Sequence, residues 1–128
     1  MIVIDTSALI AILAQEAAKA ELVTKIAAAP ARIISPITRV ETVMVASRLF
    51  LDPLQEVDAV LRALKLEIAP IDETQSEWAI RAFISYGKGR HAARLNLADC
   101  FSYAAAKALD APLLYVGGDF AKTDIRSA

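Results

Sequence analysis

Four acidic side chains fall where folded segments would deliver them to a shared place: Asp5, Glu41, Asp99 and Asp119. Each has an ordinary alternative. Asp5 ends a short β-branched run, Ile2 to Asp5, and would serve as an anion at the start of the next helix. Asp99, three residues after Asn96, fits a capping-box start. Asp119 follows Gly117-Gly118 as a turn aspartate would, and Glu41 has a solvated edge position as its alternative. Glu41 nonetheless has apolar neighbours along its helix face at Ile37, Met44 and Val45, where a carboxylate is costly unless paired or metal-bound. Two like charges about 4 Å apart repel by roughly 4 kcal/mol at an effective dielectric of 20. Converging carboxylates therefore call for a divalent cation, and an all-oxygen site suits Mg²⁺ or Mn²⁺. Such an ion activates water and neutralises a phosphate in the transition state. One histidine, His91, and one cysteine, Cys100, exclude a Cys/His zinc site and an internal disulfide.

The elements needed to position these acids are legible in the punctuation. The 128 residues make a single domain, 1–128. Strands are expected at Ile2 to Asp5, Arg32 to Ser35, Leu66 to Ile71 and Pro112 to Val116. Between them lie helices capped near Ser7, at Glu16 to Ala28, from Pro36 to about Phe50, from Pro53, from Asp72 to Gly87, and from Asn96 or Leu97 to Leu109. Alternating strands and helices indicate an α/β fold with a largely parallel sheet, whose ligands gather beyond the carboxyl ends of its strands. Hydrophobic residues at 56% and a formal charge of −1 exclude disorder and a strongly basic nucleic-acid coat, and hint at a buried partner surface. No leader or membrane-spanning run is evident, so a cytoplasmic protein with no membrane attachment is expected.

At the acids the sequence resembles the PIN-domain ribonucleases over nearly its whole length. Val3-Ile4-Asp5-Thr6-Ser7-Ala8-Leu9 is similar to their first motif, and Glu41 in Arg39-Val40-Glu41 resembles the second acid. The run Gly87-Lys88-Gly89-Arg90-His91 through Leu95-Asn96-Leu97-Ala98-Asp99-Cys100 resembles the third motif of VapC-type toxins and is the most specific part. Gly117-Gly118-Asp119-Phe120 with Thr123-Asp124 is similar to the fourth, although many relatives carry Asn or Asp at the position of Gly118. The resemblance implies a three-layer fold with a parallel sheet of four to five strands, the fifth drawn from Thr123 to Ile125. It further implies metal-dependent RNA cleavage, restrained by a VapB-like antitoxin. Asp5, Glu41, Asp99 and Asp119 become metal ligands or their immediate support, and Thr6 assists through its hydroxyl.

Other features carry lesser expectations. Lys88, Arg90, His91 and Arg94 make a basic loop that either is merely solvated or holds RNA phosphates without reading sequence. Trp78, Phe83 and Tyr86 fall at spacings consistent with one helix face, as core or interface. Cys100 reads as a small buried hydrophobe whose pKa the adjacent Asp99 would raise. A homodimer is expected. The antitoxin is expected to lay an amphipathic helix into an apolar groove between the early helices and the one bearing Leu54, Val57 and Leu61, competing with the metal. Two alternatives keep the architecture and change the function: a receiver-like phospho-acceptor switch using Asp72, and a catalytically inactive binding module.

Overall fold

The computed structural model describes all residues from Met1 to Ala128. Its four strands are all parallel: β1 (Ile2–Ile4), β2 (Arg32–Ile34), β3 (Glu67–Ile68) and β4 (Leu113–Leu114), in the order β3-β2-β1-β4. Six helices connect them: α1 (Thr6–Leu13), α2 (Lys19–Ala28), α3 (Pro36–Ala46), α4 (Pro53–Ala63), α5 (Glu73–Tyr86) and α6 (Leu97–Ala108).

Strand alternation divides the core in two. Ile2, Ile4, Ile34 and Leu114 face one side and pack with α1, α2 and α4 through Leu9, Ile12, Leu22, Ile26, Val57 and Leu61. Val3, Ile33 and Leu113 face the other and meet α5 and α6 through Ala82, Tyr103, Ala104 and Ala105. A strand buried on both faces must be apolar at every position, which is why Ile2-Val3-Ile4 does not alternate with polar residues. The result is the expected three-layer α/β sandwich.

Several boundaries differ from the sequence reading. The helix expected from Glu16 starts at Lys19, because Gln15 takes φ 54 and turns the chain after α1. The helix expected to reach Phe50 stops at Ala46 in a turn over Ser47 to Leu49. The chain end does approach the sheet, but through Ser127 rather than Thr123 to Ile125: Leu113 N–H donates to the Arg126 carbonyl at 2.8 Å and Ala128 N–H to the Leu113 carbonyl at 2.9 Å. Trp78 and Tyr86 pack against the α5–α6 core while Phe83 is exposed, so the three aromatics do not share a face. Of the residues expected to line a groove beside α4, Val57 and Leu61 are buried in the core and only Leu54 is exposed. No helix is long and apolar enough to cross a membrane.

Candidate metal centre

Asp5 stands where β1 ends and caps α1. Its extended backbone, φ −85 and ψ 158, lets the side chain turn back on the first helical turn. Oδ2 accepts from Ser7 N–H at 2.9 Å and Ser7 Oγ at 2.7 Å, and Oδ1 accepts from Ser102 Oγ at 2.6 Å. Ser7 Oγ in turn accepts from Val116 N–H at 3.0 Å, tying the start of α1 to the segment after β4. Only 2% of Asp5 is exposed. Asp5 caps the helix as expected and also lines the acid cavity described below.

Asp99 likewise does two things. It completes a reciprocal capping box with Asn96, donating nothing and accepting from Asn96 N–H at 3.0 Å, while Asp99 N–H reaches Asn96 Oδ1 at 2.9 Å. Burial pushes its carboxyl up to about 7, against the lowering effect of the Asn96 N–H, and the charges of Asp5, Glu41 and Asp119 push the same way. The four acids thus lie close enough for their charges to act on one another. Glu41, half-buried on α3, is raised first by burial and then by Asp5, with the Thr6 hydroxyl holding it down. Asp119 is exposed, reached through Gly117, whose φ of +99 is a conformation that favours glycine.

Asp5, Glu41, Asp99 and Asp119 line one open cavity of about 420 Å³ with Thr6, Ser7, Asn96 and Glu16. It lies beyond the carboxyl ends of β1 and β4, where parallel sheets place their ligands. As the side chains stand, no three carboxylates close on one ion-sized point. The donor set still fits a hard divalent ion: it is all oxygen, mutually repulsive and half-buried. Thr6 Oγ1 supports the same fit, being buried with no partner at hydrogen-bond geometry although it is near enough to Glu41 to lower that carboxyl.

The basic loop is beside the cavity rather than in it. Lys88, Arg90, His91 and Arg94 are all exposed, and none lines the acidic cavity or pairs with a carboxylate. Arg90 lies over Phe83 at 5.4 Å, and His91 accepts from Ala93 N–H at 3.0 Å with its ring edge-on to Tyr86. Asn96 is the link: it borders both the acid cavity and an apolar groove between α5 and α6 that Lys88 also lines. Cys100 sits buried in that groove wall with its thiol pushed up to about 11 by burial and Asp99, which suits a packing role. Asp72 caps α5 through Gln75 N–H and lies outside the acid cavity, which removes the phospho-acceptor of the receiver alternative.

Three participants escaped the sequence reading. Glu16 is a fifth acid at the cavity, brought there by the turn after α1. Ser7 and Ser102 hold the Asp5 carboxylate. Ser102 had a readable signal, since it follows Asp99 by three residues on a helix and must share its face.

The PIN domain model matches residues 2–126. Ribonuclease VapC of Mycolicibacterium smegmatis is 42% identical over 124 residues, covering 96% of each chain. Ribonuclease VapC30 of Mycobacterium tuberculosis is 39% identical over 124 residues, covering 96% of this chain and 95% of that one. Among solved structures, Mycobacterium tuberculosis VapC20, described as a Sarcin-Ricin loop cleaving toxin, superposes with a TM-score of 0.77 at 17% identity over 100% of this chain and 98% of that one. A toxin–antitoxin complex from Klebsiella pneumoniae gives 0.72 at 21% identity over 97% and 93%. These two share the fold. With the acid cavity in place and relatives of this similarity along almost the full length, the chain belongs to the PIN-domain family, among the VapC ribonucleases.

Proposed function

We propose that this VapC ribonuclease, a toxin of a toxin–antitoxin pair, hydrolyses RNA phosphodiesters at a Mg²⁺ or Mn²⁺ site formed by Asp5, Glu41 and Asp99, with Asp119 at the mouth. The observation that carries the reading is the convergence of four acids from four separate segments on one cavity at the strand ends. A divalent ion held there would lower the pKa of an attacking water and neutralise charge on the phosphate. Asp5 presents its carboxylate in one orientation because both oxygens are already engaged by serine donors. Thr6 Oγ1, buried beside Glu41, would orient that carboxylate within the cavity. Lys88, Arg90, His91 and Arg94 would hold the flanking phosphates from the rim. Incubation of the purified protein with total RNA, with and without EDTA and with Mg²⁺ or Mn²⁺ restored, tests this by mapping new ends. Asp5→Asn keeps the helix cap but turns an amide donor against a serine donor, and its expected activity is nil. Cleavage that survives EDTA, or wild-type activity in Asp5→Asn, overturns the reading.

The partners follow from two exposed apolar surfaces. Along α5, Glu73, Glu77, Ile80 and Ile84 form one stripe at helical spacing, with Ile80 and Ile84 50% and 57% exposed and Leu97 beside them at 73%. The stripe carries acids at one end, and Lys88 and Arg90 follow the other end. Two copies laid antiparallel would set acids against bases and bury the isoleucines between them, a self-complementary two-fold contact. The second set of exposed apolar residues is Val40 and Met44, on the same helix as Glu41, with Leu51 and Leu54 after the turn that follows it. A VapB-like antitoxin segment seated there reaches the acid cavity, so its affinity is expected to fall as Mn²⁺ rises at constant ionic strength.

A further inference from the structure

Beneath the acids lies a layer of buried hydroxyls that the reaction itself does not use. Ser102 on α6 is 1% exposed, and Thr38 and Thr42 on α3 are fully buried. Ser102 Oγ donates its one proton to Asp5 Oδ1 at 2.6 Å. A serine hydroxyl has a single proton, so Ser102 Oγ is left with lone pairs alone. Thr38 Oγ1 lies 3.4 Å from Ser102 Oγ and must therefore be the donor of that contact. Thr42 Oγ1 braces the same turn of α3 by donating to the Thr38 carbonyl at 2.7 Å.

The positions are not arbitrary. Thr38 precedes Glu41 by three residues on α3, and Ser102 follows Asp99 by three on α6. Each hydroxyl thus lies one turn from an acid, on the acid's own face. The two helices pack together at this level, and Asp5 sits between them at the end of β1. One chain of hydrogen bonds, Thr38 to Ser102 to Asp5, ties together the three elements that carry Asp5, Glu41 and Asp99.

We propose that Ser102 and Thr38 form a positioning relay that fixes the Asp5 carboxylate and the spacing of Asp5, Glu41 and Asp99 for a divalent ion. The proposal rests on the metal reading above. Without Ser102, Asp5 Oδ1 has no protein donor and the carboxylate can rotate about its remaining bonds to Ser7. Groups that orient a metal ligand in this way are worth roughly 10- to 100-fold in affinity. A chain of polarised hydrogen bonds should also be non-additive, because Thr38 acts only through Ser102.

The test is direct Mn²⁺ binding to the full chain by calorimetry, without RNA, alongside the metal-free thermal transition. Ser102→Ala is expected to weaken Mn²⁺ binding roughly 10- to 100-fold while the metal-free protein stays folded. Excess Mn²⁺ should restore its cleavage, as it cannot for Asp5→Asn. Thr38→Val, of the same shape but without the hydroxyl, should weaken binding by a smaller factor. Thr38→Ser should bring it back, and Thr38→Val in the Ser102→Ala background should add nothing. A folded Ser102→Ala with wild-type Mn²⁺ affinity overturns the relay. Should Ser102→Ala not fold, the Thr38 pair decides: equal affinities in Thr38→Val and wild type overturn it, and loss with recovery in Thr38→Ser upholds it. A wild type that binds no Mn²⁺ overturns the metal reading itself, and that result is visible before any variant is made.

Discussion

Asp99 carries two effects of opposite sign on stability. Its capping-box bonds to Asn96 help start α6, but burial and three neighbouring acids raise its carboxyl to about 7. The unfolded chain, with an ordinary carboxyl near 3.8, releases this proton earlier as pH rises. Between about pH 4 and 7 the folded state therefore binds more protons, and stability falls with rising pH before levelling above 7. Glu41, raised for the same reasons, adds to the slope. Asp58 and Asp124 are lowered, by Arg39 and by Lys107 with Tyr103, and their contributions are lost only below the ordinary carboxylate range. Thermal melts of the metal-free protein should show this decline, and Asp99→Asn should flatten it while preserving the Asn96 cap. A divalent ion should reverse the decline near neutral pH. A melting temperature that rises between pH 4 and 7 without metal would contradict the assignment.

Among the elements, the turn from α5 into the basic loop is the least tolerant. A Cβ at Gly87 would lie 2.5 Å from both the Phe83 ring and the Phe83 carbonyl, the acceptor of the Gly87 N–H bond that closes the helix. Gly87→Ala should cost about 1–3 kcal/mol by overpacking, read as a shift in the urea midpoint, and should displace Lys88 and Arg90. The elements were largely legible because their signals are local: Pro36 and Pro53 begin helices, Asn96 caps one, and apolar runs make parallel strands. Boundaries were less so. The turn at Gln15 needs a positive φ that nothing in the local composition announces, so Glu16 was placed in a helix rather than at the cavity. The Ser102–Asp5 bond joins residues 97 apart, and only the closed fold reveals it. The four acids that line the cavity were legible because three stand at strand or helix ends and Glu41 sits among apolar neighbours on its helix face. Their hydroxyl supports are small polar residues of a kind found anywhere.

For the whole molecule, the proposed contacts can be tested separately. If the α5 stripe is the two-fold contact, Ile84→Glu should give a monomer by sedimentation, with the melting temperature of the dilute protein little changed, since Ile84 contributes nothing to either core. A dimer that persists would place the contact elsewhere. RNA binding should weaken linearly in log–log salt plots, and Lys88→Ala should reduce the slope by roughly one phosphate contact. An unchanged slope would make that lysine an ordinary solvated charge.

The strand order has a further consequence. β1 lies between β2 and β4, so the strand that delivers Asp5 is locked in place by one that comes more than a hundred residues later, and the acid cavity draws on residues from Asp5 to Asp119. Contacts of such long sequence separation form late and slowly, after the loop-closure entropy has been overcome. No half of this chain contains a working fraction of the cavity. A fragment from either half would therefore be an inert piece of polypeptide rather than a weak nuclease, and the cavity assembles only with the complete sheet.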